Sequence, residues 1–288
     1  MNLYQMKRPP AVAGQFYPID PAKLISMIEW AFKSTGSPSI PKPNLSGPRK
    51  IKGLMVPHAG YMYSGPTAAK AYQTLAEDGA PETFIIIGPN HTGLGGPISL
   101  MKKGVWETPL GEVEIDSEIS TLIEERCELA EEDFVSHRFE HSIEVQIPFL
   151  QAIYGENFRI VPIIMLAQDL QSSRLLGRAI LDAVTSSKKD AVIIASSDLT
   201  HYEPQIEARR KDSFVLHALE SMSEEAVYKR VVELNISMCG YGPVMTMLIG
   251  SKLLGGKRVV ILDYRTSGDV TGDFSAVVGY ASAAVYSE

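Results

Sequence analysis

Three apolar stretches of this 288-residue chain each run out into a turn that carries a histidine. Met55 and Val56 lead through Pro57 to His58. Thr83–Gly88 leads through Pro89 and Asn90 to His91, with Gly93, Gly95 and Gly96 behind it. Ala191–Ser197 leads to Asp198, His201 and Tyr202. A neutral imidazole binds transition metals through a ring lone pair and moves protons near neutral pH. A thiol joins the set at Cys239, in SMCGYGPV, a glycine-rich entrance to a helix opening near Pro243. The positive end of that helix predicts a lowered thiol pKa, and so a thiolate available as ligand or nucleophile. A small buried residue in a tight turn fits the same position equally well. Imidazole and thiolate together suit iron, copper or zinc better than magnesium or calcium, and three protein ligands leave positions open for reaction. His58, His91 and Cys239 are the first choice of ligands, because Pro and Gly beside the histidines allow close approach. His201 then serves as a base, with Asp198 or Glu144 to orient it.

A second region, EHSIEVQIPFL, holds His141 and Glu144 at i, i+3 spacing on an expected helix that Pro148 would bend. The pair reads either as a surface couple or as part of the pocket. Tyr61, Tyr63, Tyr202 and Tyr241 add hydroxyls near the same loops, as donors or as wall material. His137 and His217 stand apart from the pattern. A metal-free alternative uses the same residues differently, with Cys239 as nucleophile, His201 or His141 as base and Asp198 as orienting carboxylate.

The elements that must position these groups follow from patterning. Leu24, Ile25, Ile28 and Phe32 recur at helical spacing, with Asp20 as cap. Residues 34–49, rich in Ser, Pro and Gly, form a surface connection and not a domain boundary. From Ile51 onward apolar runs alternate with helical patterns: IKGLMV, TFIIIG, FRIVPIIML and DAVIIASS as strands, with helices predicted from Pro66 to Glu77 and from Asp169 to Thr185. Several of these runs are apolar throughout, as strands buried on both faces must be. The prediction is an α/β protein, one domain over residues 1–288, with a mostly parallel central sheet flanked by helices and short antiparallel additions. Ligand crevices in such sheets lie beyond the carboxyl ends of the strands, where a parallel arrangement brings all three histidines to one rim.

Composition excludes several function classes. A formal charge of −7, with 45% hydrophobic and 21% charged residues, gives no general footprint for nucleic acid or a membrane surface. MNLYQMKRPP has no apolar leader core and no run approaches a membrane span, so a cytoplasmic location is expected. Two cysteines make no disulfide framework. Arg8, Arg138 and Lys102 are the candidate anion contacts for a non-catalytic reading, a binding module for a phosphopeptide or partner protein.

The segments RPPAVAGQFYP, VPHAGYMYSGPTAAKAY, IIIGPNHTG, EHSIEVQIPFL, SSDLTHY and CGYGPV occur in the order seen in the Memo family, which the chain resembles along nearly its whole length. The resemblance implies a fold like that of the class III extradiol dioxygenases, non-haem iron enzymes that open catechol rings. It matches His58, His91 and Cys239 to metal positions, and Asp198, His201, His141 and Glu144 to other pocket residues. It implies iron or copper, with zinc possible, and a small phenolic or oxygen-containing substrate or a peptide in the pocket. Radical S-adenosylmethionine and AMMECR-type proteins are the implied pathway partners. One departure stands out. The ring-cleaving enzymes complete their ligand set with a carboxylate, whereas this chain offers the thiol of Cys239, so dioxygenase activity is not simply inherited.

Overall fold

A computed structural model describes residues 6–288; residues 1–5, the start of the stretch expected to lack a leader, lie outside the described residues. The chain opens with β1 (Lys7–Arg8) and α1 (Pro21–Lys33), the latter capped by Asp20, whose side chain accepts from Lys23 N. Then come β2 (Ile51–Val56), α2 (Tyr61–Asp78), β3 (Thr83–Pro89) and the short strands β4 (Ile98–Leu100), β5 (Val105–Thr108) and β6 (Gly111–Glu114). The middle holds α3 (Ser117–Arg126), β7 (Ala130–Glu132), α4 (Val135–Arg138), α5 (Ile147–Tyr154), β8 (Arg159–Met165) and α6 (Leu170–Ser187). The last third holds β9 (Ala191–Ser196), β10 (His201–Glu203), α7 (Gln205–Glu220), α8 (Glu224–Glu233), α9 (Tyr241–Leu253), β11 (Arg258–Thr266), α10 (Gly268–Thr271) and β12 (Val277–Tyr286).

Nine of these strands form one mixed sheet in the order β10-β12-β2-β9-β3-β8-β4-β7, with β11 paired to β12. Its centre, β2-β9-β3-β8, is parallel, and antiparallel β12 and β4 flank it. Every residue of β3 and β9 is buried, which is why both read as unbroken apolar runs. One face of the sheet packs on α1, α2 and α5, and the other on α3, α6, α7, α8 and α9. No helix among the described residues is long and apolar enough to cross a membrane.

Two local expectations are corrected. The helix after β2 opens at Tyr61, five residues before Pro66, so this proline sits inside α2 and is not its first residue. The stretch after His141 is a turn and then a 3-10 segment, Glu144–Gln146, and Pro148 lies in the first turn of α5, where its missing N–H costs nothing. His141 and Glu144 therefore do not share a regular helix face. Two glycines seat the thiol-bearing turn. A Cβ on Gly53 of β2 would lie 2.3 Å from Ser251 Oγ and 2.6 Å from Met247 Sδ, so α9 rests directly on the sheet. A Cβ on Gly240 would lie 2.4 Å from Ser196 O, so the turn before α9 closes onto the end of β9.

Candidate metal centre

Because β2, β9 and β3 are neighbours and parallel, their carboxyl ends deliver His58, Asp198 and His91 to one edge of the sheet. His141 enters from the segment before α5. The ring centroids of His58 and His91 lie 5.2 Å apart, those of His58 and His141 5.4 Å, and His91 stacks on His141 at 4.6 Å. One ring nitrogen from each lies within 4.8 Å of the other two, so these three histidines could hold a metal ion. The sequence motifs gave His58 and His91, but spacing left His141 open between a surface couple and the pocket, and the family resemblance matched it only to the other pocket residues.

Hydrogen bonding fixes which nitrogen each ring presents. Ser196 Oγ donates to Ser142 O at 2.6 Å and accepts from Gln146 Nε2 at 2.8 Å. The orientation of that amide is set by its other partners, since Nε2 also donates to Pro57 O and Tyr72 Oη donates to Oε1. With its single proton committed, the hydroxyl can only accept from His58 Nδ1, 2.9 Å away. His58 is therefore the Nδ1–H tautomer, with the Nε2 lone pair facing the site. His91 Nδ1 lies 2.8 Å from Glu140 Oε1, and His201 Nδ1 lies 2.7 Å from Leu199 O and 2.9 Å from Ser237 O. These partners accept only, so both rings carry the proton on Nδ1 and leave Nε2 open.

Burial, together with the charges of His141, His91 and His201, pushes His58 well below the usual imidazole range. Burial lowers His141 to about 4 against the opposing pull of Glu140. Burial alone would raise Glu140, but its hydrogen bond to His91 and the nearby imidazoles outweigh it and hold the carboxyl at about 2. A carboxylate behind the imidazoles is the support that a cationic metal requires.

Cys239 reaches the same place. Its Sγ lies 3.2 Å from His58 Nε2 and 3.3 Å from Asp198 N. Gln168, in the loop after β8, fixes the turn by donating to Cys239 O at 2.9 Å and accepting from Gly242 N at 2.9 Å. No sequence signal marked Gln168. The expected low thiol pKa is corrected: burial and the Asp198 carboxyl push it up, because the desolvation outweighs the helix end. The S–H donates to the His58 lone pair, and a metal would displace that proton. Asp198, raised by burial to about 6, accepts from His58 N at 2.8 Å.

Other expected residues are placed differently. Glu144 takes no part in orienting His201: its carboxylate is filled by Arg8, Ala11 N, Val12 N and Tyr17 Oη. Asp198 does not orient His201 either, since two backbone carbonyls do so. Tyr61 is buried and donates to Val145 O, while Tyr202 stands exposed at the rim with φ 58. Of the candidate anion contacts, Arg8 is buried in its pair with Glu144 and Lys102 is paired with Glu124 and Glu132.

The family profile described as Memo-like protein matches residues 8–284. The chain belongs to the Memo-like family. It is 49% identical over 278 residues to a MEMO1 family protein of Methanopyrus kandleri, covering 96% of this chain and 98% of that one. It is 48% identical over 280 residues to a MEMO1 family protein of Sulfolobus acidocaldarius, again covering 96% and 98%. A MEMO1 family protein of Methanocaldococcus jannaschii gives 48% over 285 residues, with the same coverage. The Memo-like matches thus span the strands, the histidine turns and the Cys239 turn together.

This Memo-like site is built at a cost in acid stability. Unfolded imidazoles protonate below about pH 6.5, whereas His58 and His141 resist protonation in the folded chain, as does His137, held by burial at about 3. The unfolded state therefore binds more protons and stability falls as pH falls. Asp198, protonating near 6 when folded, offsets one of the three. The net is about two protons, or roughly 3 kcal/mol per pH unit between pH 6 and 5. Neither ring nitrogen of His137 has a hydrogen-bond partner among the described residues, and its ring meets Trp106 edge-on at 5.8 Å. His137→Phe keeps that packing. We expect urea unfolding to show stability at pH 8 within about 1 kcal/mol of the parent, and an acid slope shallower by one proton. An unchanged slope would show that His137 titrates normally.

Proposed function

We propose that this protein binds a redox-active transition metal, iron(II) or copper, between His58, His91, His141 and Cys239, and catalyses redox chemistry on a small phenolic or oxygen-containing substrate. The observation that carries this reading is the convergence of three imidazoles, at least two of them with Nε2 free, beside a thiol. Such a donor set suits iron, copper or zinc and fits magnesium or calcium poorly. A bound metal of this kind supplies Lewis-acid activation of oxygen ligands and one-electron chemistry. His201 Nε2 takes the proton of a substrate hydroxyl, its ring held by Leu199 O and Ser237 O. Asp198, close to half-protonated near pH 6, relays a proton at the floor of the site.

Anaerobic equilibrium dialysis against iron(II), copper(I) and zinc(II) tests the metal, with one ion per chain expected. Binding no tighter than in a His58→Ala, His91→Ala double variant would sink the reading. Oxygen uptake with catechol-type substrates tests the chemistry; His201→Gln should abolish it while metal content stays whole.

The pH dependence of affinity reports on the thiol. Its pKa is raised, so binding through Sγ releases one proton, and affinity should rise about tenfold per pH unit between pH 7 and 9. Cys239→Ser should flatten that dependence. A flat profile in the parent chain would leave the imidazoles as the only protein ligands.

A further inference from the structure

The segment RPPAVAGQFYP reads as irregular chain packed on the core, and the metal site as described makes no use of it. The structure ties it to the histidines. Arg8, wholly buried, directs all three arms of its guanidinium at the stretch that carries His141. Its Nε donates to His137 O at 2.9 Å, its Nη2 to Glu140 O at 2.5 Å, and its Nη1 to the Glu144 carboxylate. The guanidinium also lies over the Trp106 ring, 4.3 Å from its centroid. Both ends and the middle of residues 137–144 are thereby pinned to one side chain.

At the centre of the pinned stretch stands Glu140, fully buried. Its Oε1 accepts from His91 Nδ1 at 2.8 Å and from His141 N and Ser142 N at 2.9 Å each, and its Oε2 accepts from His91 N at 2.6 Å. Every bond it makes is an acceptor bond, and the two histidines it touches are both members of the triad. The same amino-terminal segment closes on the third: Phe16 O accepts from Tyr61 N at 2.8 Å, just past the His58 turn, and the Phe16 ring packs on His141 at 4.7 Å.

We infer that Glu140 is a positioning residue for the metal site, held in register by Arg8, and that it sets His91 in the Nδ1–H tautomer with Nε2 aimed at the shared point. The carboxylate does this by presenting only lone pairs to the ring. A guanidinium is suited to the task because its planar fork addresses three acceptors at fixed angles, which an ammonium does not. The affinity arm of the following test rests on the proposed metal reading, whereas the tautomer arm does not.

Long-range 1H–15N spectra of the metal-free protein at pH 8.5, with His91 assigned by comparison with His91→Gln, should show protonated Nδ1 and bare Nε2. Glu140→Gln cannot supply four acceptor bonds, and should mix the His91 tautomers and weaken metal binding by about 10–100-fold. Arg8→Lys should do the same to a smaller degree. A protonated Nε2 in the parent chain overturns the inference. So does either variant that folds and keeps both the parent tautomer and the parent affinity. If the parent shows the expected tautomer and the folded variants mix it, but no metal is taken up, the positioning stands and the metal reading fails. If both folded variants keep the parent tautomer and bind metal as the parent does, the metal reading stands and the positioning fails.

Discussion

His91→Ala should lower metal affinity by on the order of 10²–10³-fold while leaving the fold nearly untouched. Structural zinc sites with four ligands gain roughly 10–16 kcal/mol, or about 3 kcal/mol per ligand, and each 1.4 kcal/mol is a factor of ten. His91 is the informative member because its side chain is one-third exposed, whereas that of His58 is 3% exposed and bonded to Ser196. Removing the ring also leaves Glu140 with three backbone donors, His91 N, His141 N and Ser142 N, so no bare buried carboxylate is created. Competition titration with a chromophoric chelator measures the loss, and thermal unfolding of the metal-free variant checks the fold. The same measurement on His141→Ala separates two ligand sets. A loss as large as that of His91→Ala means three imidazoles bind the ion. A loss under threefold means that His141 only walls the site and that Cys239 completes it.

The sheet could be read from the sequence because its central strands are buried on both faces. TFIIIG and AVIIAS carry polar residues only at their ends, Thr83 and Ser196, and the parallel run IKGLMV–AVIIAS–TFIIIG put the histidine turns on one edge. What was hidden depends on contacts across more than a hundred residues. Glu144 shows the limit. Spacing allowed it to face a helical neighbour, but its partners Arg8 and Tyr17 lie 136 and 127 positions away, and nothing local to EHSIEVQ reveals them. His141 was undervalued for the same reason, because a turn and not a helix presents it. The thiol pKa failed through a magnitude: the helix entrance at Gly240 is real, but a short dipole effect is smaller than the desolvation of the half-buried sulfur beside it. Gln168 could not have been found, since it acts through the backbone of the Cys239 turn.

Breaking the Arg8–Glu144 pair should have one of the larger effects on stability of any single change outside the nine-stranded sheet. Both side chains are wholly buried, and Glu144 also satisfies the N–H groups of Ala11 and Val12 and the hydroxyl of Tyr17. Glu144→Gln keeps the shape but leaves the guanidinium charge unpaired in a dry interior, which costs about 3–5 kcal/mol. For a chain of this size that is on the order of a 10 °C fall in Tm. Removing both charges is a different matter. Arg8→Met combined with Glu144→Leu deletes the desolvation cost along with the attraction, and replacement of a buried pair by apolar groups is often neutral. Two backbone N–H groups and the Tyr17 hydroxyl would then lack their acceptor, and His137 O and Glu140 O their Arg8 donor, so recovery of about half of the loss is expected, not all of it. Urea unfolding of the two single variants and the double gives the coupling energy. Single-variant losses that simply add in the double would mean that the two charges do not sense each other. The amino-terminal segment would then be held by its apolar contacts alone, with Val12 and Tyr17 in the core beside Tyr61.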